Sequence, residues 1–500
     1  MKIRLLLLLI AVPLLSFCQK QGNIWHFGMQ CGIDFSTGEP INIPGGQTGE
    51  DVTVGDVQEG TSCISDSAGN LLFYTGGKTI WNKNHQQMFN GANIFGGTSS
   101  TQSSLIIPLP GSNSIYYVFT SDEFQGYDDH PPQKGYRYSI VDMCLNDSLG
   151  DVIPEQKNIL LLDSSTEKIT ACEDFSGNGY WVMGHKMFSD EFVAWHLTSA
   201  GISETVTTKI GTIHGWHPVS LNWQSAIAQG QMKFNPQGTK LAVAISNITP
   251  GILDIFDFNN TTGVVSNFCS KTFDNDTTWG DRIYGLEFSP DGFKLFFSLN
   301  DGYPVFEQRL YQLNLNDDCN SIFESRQIIY QTLGSATSKG MQLAPNGKIY
   351  WVGNTYYDLS CINFPNLIGT AVGFDSSAIS LNGFNSYSLP NFIAGYKYHN
   401  QLACTEYVPV EPPITELKIP NIFSPNADNI NDTFIIENLP TDATVHIYNR
   451  WGALVAEWNK PDGSWDGRTK GGSQVSAGVY YYIVTQPDGE RKKGFVEVIR

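Results

Sequence analysis

A short pattern recurs through most of the chain: an apolar pair, a tight turn, then a run of apolar residues. It reads Met232-Lys-Phe-Asn-Pro-Gln-Gly-Thr-Lys-Leu-Ala-Val-Ala244, then Leu286-Glu-Phe-Ser-Pro-Asp-Gly-Phe-Lys-Leu-Phe-Phe-Ser298, then Met341-Gln-Leu-Ala-Pro-Asn-Gly-Lys-Ile-Tyr-Trp-Val352. Looser copies start at Ile64, Ile107 and Ala171. Pro presets φ at the first central turn position, Asp or Asn accepts a local hydrogen bond, and Gly takes positive φ without strain. The run after each turn must pair with the residues before it, so each copy predicts a β-hairpin. A second strand pair follows most copies, as at Leu253–Phe258 and Leu310–Leu315, so each unit predicts a four-stranded sheet. The copies begin near residues 64, 107, 171, 232, 286 and 341. That spacing is the period of propeller blades, which hide their sheet faces against one another around an axis. The expected fold is all-β, with a β-propeller of about seven blades over residues 19–404. A tandem array of β-sandwiches is the alternative, and the short spacing counts against it. Ile24-Trp-His-Phe-Gly28 and Phe392-Ile-Ala-Gly-Tyr396 are expected to pair and complete the seventh blade.

Composition agrees with this. Gly (49) and Pro (24) supply the turns, while hydrophobic residues make up 41% and charged residues 16%, as in a folded chain of short strands. Five hundred residues exceed one ordinary core, so more than one domain is expected. A formal charge of −19 repels phosphate backbones at long range and argues against a nucleic-acid partner. Solubility is the simpler role for that charge.

Residues 1–18 carry the three parts of a secretory signal peptide: Lys2 and Arg4, the apolar run Leu5–Leu15, and Ser16-Phe17-Cys18 before a cut at Gln19. Lipidation of Cys18 is the rival reading, and bulky Phe17 counts against it. No later stretch is apolar for long enough to cross a bilayer, so no transmembrane span is expected in the mature chain. The remaining cysteines (31, 63, 144, 172, 269, 319, 361 and 404) form no CxxC pair, which leaves little support for a thiolate zinc site. Their pairing stays open, and a mix of bridges and buried thiols is the expectation.

Trp25-His-Phe-Gly28 with Gly32-Ile-Asp-Phe35, and Leu71-Leu-Phe-Tyr-Thr75 with Trp81-Asn-Lys-Asn84, resemble the N-terminal propeller of large exported Bacteroidetes proteins. The three Pro-Asp/Asn/Gln-Gly copies share that resemblance. It implies a fold and a location rather than a reaction. Residues 405–418 hold three Pro and several acids, and are expected to be a stiff linker.

From Ile419 the pattern changes. About six short strands in residues 419–500 predict a small Ig-like β-sandwich. Four motifs occur in order: Ser424-Pro425-Asn426-Ala427-Asp428-Asn429-Ile430-Asn431-Asp432-Thr433-Phe434, Ile447-Tyr448-Asn449-Arg450-Trp451-Gly452, Trp465-Asp466-Gly467, and Ala477-Gly478-Val479-Tyr480-Tyr481-Tyr482. Together they resemble the gliding-motility-associated C-terminal domain, the type B sorting domain of the type IX secretion system. The resemblance implies recognition by the outer-membrane translocon and by surface-anchoring proteins. It also implies a secreted or cell-surface location. Two positions depart from the family, Ala427 and Asn429, where glycines are usual. Asn tolerates the left-handed region, whereas Ala427 points to a different turn. In the same loop Asn426, Asp428, Asn431 and Asp432 offer side-chain oxygens that suit Ca²⁺. The simpler reading is an Asx-turn loop held by its own backbone, and no cofactor is expected.

No catalytic set is legible. His214-Gly-Trp-His217, with His185 ahead of it, could begin a metal site, but no third ligand can be named. Asp122, Glu123, Asp128 and Asp129 lie near Tyr127 and could serve glycoside chemistry, which needs two carboxylates at a set distance. Buried or loop histidines and a solvated acidic loop are the simpler accounts. Neither a G-x-S-x-G elbow nor a phosphate loop occurs. The preferred reading is a propeller that binds an extracellular glycan or protein through exposed aromatic residues. The alternative is a hydrolase or lyase acting on polysaccharide at the propeller face.

Overall fold

The structure, a computed structural model, describes residues 20–46, 59–123, 134–215, 228–246, 251–273, 282–300, 307–316, 318–333, 339–352, 355–385, 387–398, 417–426, 431–440, 443–459, 463–486, 489 and 491–500. The chain divides into two compact units, residues 1–410 and 411–500.

Among the described residues, the first unit holds seven antiparallel sheets in chain order. Blade 1 holds Ile24–Phe27, Cys31–Asp34 and Ile41–Asn42, and blade 2 holds Ser62–Ser65, Leu71–Thr75 and Ile80–Asn82. Blade 3 begins with Ser104–Pro108, Ile115–Ser121 and Tyr136–Asp142. Blades 4 to 7 have four strands each and start at Ile169, Met232, Arg282 and Met341. The six repeat copies are the first two strands of blades 2 to 7. Met232 pairs with Val243, Leu286 with Phe297, and Met341 with Trp351. The turn glycines of the three sharpest copies, Gly238, Gly292 and Gly347, sit at φ +64°, +75° and +77°. Only a residue without Cβ takes that conformation cheaply.

The first strands of successive blades pack against one another along the chain. The ring then closes between blades 7 and 1. The rings of Trp25 and Tyr350 lie 6.1 Å apart, Asn42 Nδ2 donates to Ser380 O (2.6 Å), and Met29 N donates to Phe384 O (2.7 Å). A closed ring of seven sheets is a β-propeller.

Closure differs from the sequence expectation. Residues 24–27 pair with 31–34 inside blade 1, and residues 392–396 join no strand. Residues 387–398 instead run as a largely buried strap. Asn391 N donates to Thr61 O (2.8 Å) in blade 2, and its Nδ2 donates to Ile169 O (2.9 Å) in blade 4. Tyr396 OH donates to Leu343 O (2.5 Å) in blade 7. Pro390 has no N–H to give a ladder, and Gly395 and Tyr396 stand at φ +65° and +55°, so this segment cannot extend as a strand.

Two buried glutamines tie blades together near the start of their inner strands. Gln102 Nε2 donates to the carbonyls of Ile169 (3.0 Å) and Met232 (3.1 Å), and its Oε1 accepts from Met232 N (2.8 Å). Gln231 Oε1 accepts from Leu286 N (3.1 Å) and Met341 N (3.0 Å). Each glutamine thus joins its own blade to two others. A disulfide between Cys269 and Cys319 links the outer strand of blade 5 to the short helix Cys319–Glu324 of blade 6, and Cys144 is also disulfide-bonded. Cys31, Cys63, Cys172 and Cys361 are buried thiols.

The second unit is a sandwich. Five strands form one sheet in the order Ile422–Phe423, Arg491–Val498, Gly478–Thr485, Thr444–Tyr448, Leu454–Trp458. Phe434–Ile435 and Ser464–Trp465 form the facing pair. The alternation expected of half-buried strands is visible in Thr444–Tyr448, where Val445 and Ile447 are fully buried. They pack with Phe423, Phe434, Trp465, Val484 and Val496 in one core. Among the described residues no helix is long and apolar enough to cross a membrane.

Candidate functional site

In the second unit the four sequence motifs lie at turns and strand ends. Asn449 closes the hairpin between Thr444–Tyr448 and Leu454–Trp458: its Oδ1 accepts from Trp451 N and Ala453 N, both at 3.0 Å. Gly452 supplies the left-handed residue (φ +79°), and the turn presents Trp451 at 83% exposure. Trp465 is buried against Phe423 and Tyr480, and its Nε1 donates to Arg468 O (2.7 Å). Asp466 accepts from Arg468 N (3.1 Å). Gly467 is at φ +73°, and a Cβ there would meet Pro425 Cγ at 2.9 Å, so the Ser424-Pro425 and Trp465-Asp466-Gly467 motifs require each other. Arg500 secures the same corner, donating to Gly467 O (3.1 Å) and Val475 O (3.0 Å). Gly478 opens its strand at φ +137°, and Tyr480 OH donates to Ser476 O (3.0 Å).

The candidate calcium loop is described only at its ends. Asp432 Oδ1 accepts from Asn426 N (2.9 Å), Ser424 N donates to Asn431 O (2.8 Å), and Asn431 takes φ +52°. Those contacts close the loop at its ends. Asp428, with Ala427 and Asn429, lies outside the described residues. Among the described residues no three His, Cys, Asp or Glu side chains are grouped to hold a metal.

Sequence reasoning missed a surface made by register. Leu454 pairs with Tyr448, Tyr448 with Tyr481, and Tyr481 with Phe495, so four side chains stand in one row across four strands. Leu454, Tyr481 and Phe495 are 39%, 50% and 52% exposed. Val479 and Ile422 extend the row through Glu497, to which both are paired. Alternation within each strand signals one outward apolar position, but only the pairing shows that they align.

In the propeller, the histidines noted in the sequence meet. His185 and His214 end the second and fourth strands of blade 4, and His185 Nε2 lies 3.1 Å from His214 Nδ1. Both are buried. Burial pulls His185 down to about 3 and, with the neighbouring His185 and Lys168, holds His214 well below its usual value. They are neutral core groups that share one hydrogen bond. His217, Tyr127, Asp128 and Asp129 lie outside the described residues. Asp122 accepts from Lys134 N (2.8 Å), and burial raises its pKa. Glu123 accepts from Ser99 N (2.7 Å).

A second group escaped the sequence because three separate blades supply it. Glu59, Glu167 and Tyr284 each lie at or just before an inner strand, and all are buried. Tyr284 OH donates to Glu59 Oε2 (2.7 Å), Ser99 Oγ donates to Glu59 Oε1 (3.2 Å), and Thr101 donates through N and Oγ1 to Glu167 Oε2 (3.1 and 3.0 Å). Burial, and then the charge of Glu167, push Glu59 up to about 8, so it is a neutral acid at pH 7. Lys168 donates to the carbonyls of Ala228 (2.6 Å) and Gln229 (2.7 Å), and burial lowers it to about 7. The group is a satisfied polar network.

Comparison with known proteins bears on the second unit. Residues 417–498 match the CHU_C type IX secretion signal domain. This is a type IX sorting module. The four motifs of the sorting domain therefore sit in a module whose family is read by a secretion system. Among curated proteins none matches the chain. Solved structures include TolB from Acinetobacter baumannii (12% identity, 85% of this chain and 75% of that one, TM-score 0.30) and the Dos1 propeller (10% identity, 59% and 71%, TM-score 0.32). PorZ, a surface component of the type IX secretion system of Porphyromonas gingivalis, aligns over 96% of this chain and 99% of its own at 11% identity and a TM-score of 0.16. Likenesses this distant carry no argument, and the propeller rests on its own seven sheets.

Proposed function

We propose that this protein is delivered to the cell surface by its sorting domain and there uses the propeller to bind an extracellular glycan or protein. The match of residues 417–498 to a type IX secretion signal domain carries the first half. A signal peptide over residues 1–18 would take the chain across the inner membrane, and the folded sorting module would then be read by the outer-membrane translocon. The exposed row Leu454, Tyr448, Tyr481 and Phe495, with Trp451 at the hairpin tip, offers that reader an apolar surface without disturbing the core. For the propeller, the described histidines and carboxylates support binding rather than turnover. His185 and His214 are neutral and bonded to each other, and Glu59 and Glu167 are engaged by hydroxyl and backbone donors.

Deletion of residues 417–500 tests the sorting half. Cells carrying the truncated chain should hold it in the periplasm, with the propeller folded and absent from the surface fraction. Wild-type amounts of truncated protein at the surface would refute the reading.

A further inference from the structure

We propose that the cleft between blades 1 and 2 binds a hydroxyl-rich, uncharged carbohydrate chain. This rests on reading the propeller as a binding module, and names its site and ligand class. The cleft has a volume of about 460 Å³, within the range of small-ligand sites. Blade 1 contributes Asp34 and Ser36, and blade 2 contributes Asn70, Lys83, Asn84 and His85. Ile24 and Leu71 give it an apolar wall.

The mixture of groups selects the ligand. Every sugar hydroxyl both donates and accepts, so its site needs acceptors and donors interleaved. Asp34 brings a carboxylate, Lys83 an ammonium, and Asn70 and Asn84 bring amides, which carry both functions. Among the described residues Lys83 makes no ion pair and the Asn84 side chain no hydrogen bond, so both have capacity to spare. One carboxylate beside one ammonium leaves the cleft balanced. A phosphate or sulfate polymer would meet Asp34 and the −19 of the whole chain, whereas a neutral polyol meets no such opposition.

The two blade 2 loops that line the cleft are held in place. Asn82 Oδ1 accepts from Asn84 N (2.9 Å) and Gln86 N (3.2 Å), and Asp66 Oδ1 accepts from Ala68 N and Asn70 N, both at 2.9 Å. His85 stands at φ +60°, rare for a side chain of its size, with its Nδ1 3.0 Å from Tyr74 OH. Loops already fixed in position lose little freedom on binding.

The test uses the full-length protein on an array of neutral gluco-, manno-, galacto- and xylo-oligosaccharides beside uronate and sulfated counterparts. Lys83→Ala and Asn84→Ala are made separately, with thermal melts as controls; both side chains are exposed, so the fold should persist. The expected result is binding to at least one neutral series, weakened about ten-fold by each substitution, as when one or two hydrogen bonds are lost. Neutral-glycan binding that both variants retain in full would overturn the cleft while leaving a binding propeller intact. Binding confined to the uronate and sulfated members would overturn the ligand class. No binding by the unaltered protein to any glycan would remove this proposal and weigh against the glycan reading of the propeller itself.

Discussion

At the scale of single residues, the propeller hides ionisable groups that oppose one another with pH. Burial lowers His26 to about 4 and His185 to about 3, so both are neutral when folded. Their contribution to stability is full above the unfolded value of 6.5 and is lost as pH falls through those lower values. Urea unfolding from pH 7 to pH 4 should therefore show the propeller weakening steadily. His26→Asn keeps an acceptor for Gly46 N, which bonds His26 Nδ1 at 3.0 Å, and should flatten that slope. An unchanged slope would mean that His26 is charged in the folded state. Glu59 acts in the opposite sense. With its folded value raised to about 8, its contribution is full below 4.5 and is lost as pH rises through 8. Glu59→Gln, which can still accept from Tyr284, should make the protein more stable than wild type at pH 9. Equal stabilities there would show that Glu59 ionises freely. His185 and His214 stand out in the sequence, yet their contact arises only because two strand ends of one blade converge. Glu59, Glu167 and Tyr284 are isolated polar residues from three blades, and no local pattern joins them.

At the scale of elements, the hairpins were legible and the closure was not. Pro-Gln-Gly, Pro-Asp-Gly and Pro-Asn-Gly turns state their geometry locally, so the first two strands of each blade follow from a dozen residues. Phe392–Tyr396 has strand-like composition, but its role depends on a strap that touches blades 2, 4 and 7. Such contacts are invisible to periodicity. The same holds for Gln102, whose partners lie 67 and 130 residues away. Gln102→Ala would take the acceptor from Met232 N in a dry interior, while Asn391 Nδ2 still serves Ile169 O, at a cost of about 2 kcal/mol. Urea midpoints measure it, and a loss under about 1 kcal/mol would show that the blades hold without this crossbar. The Cys269–Cys319 bridge closes a loop of sequence separation 50. Loop-closure entropy for such a length amounts to about 4 kcal/mol, so the double serine variant should unfold at lower urea by roughly that margin. If reduction leaves the midpoint in place, the reduced chain is already restrained across that loop.

At the scale of the whole molecule, two units carry two kinds of information. The propeller's core comes from repeats that cannot bury their sheets singly, whereas the sorting module closes its own core around Phe423, Phe434, Trp465 and Val496. A segment with a private core is expected to fold alone, so residues 411–500 expressed by themselves should give one cooperative melt. That independence makes a surface variant informative. Tyr481 and Phe495 stand opposite each other on the outer face at about half exposure, and neither belongs to the core. Replacing both by Lys should change stability by no more than about 1 kcal/mol, as surface changes usually do. If the secretion machinery reads the aromatic row, the double variant should fold normally and accumulate in the periplasm, as the deletion does. Full delivery of that variant would move recognition to the other motif-bearing features, the Trp451 hairpin and the corner where Gly467 meets Pro425. Melts of the purified variant, taken beside cell fractionation, separate the two outcomes because a misfolded module would lose its transition first.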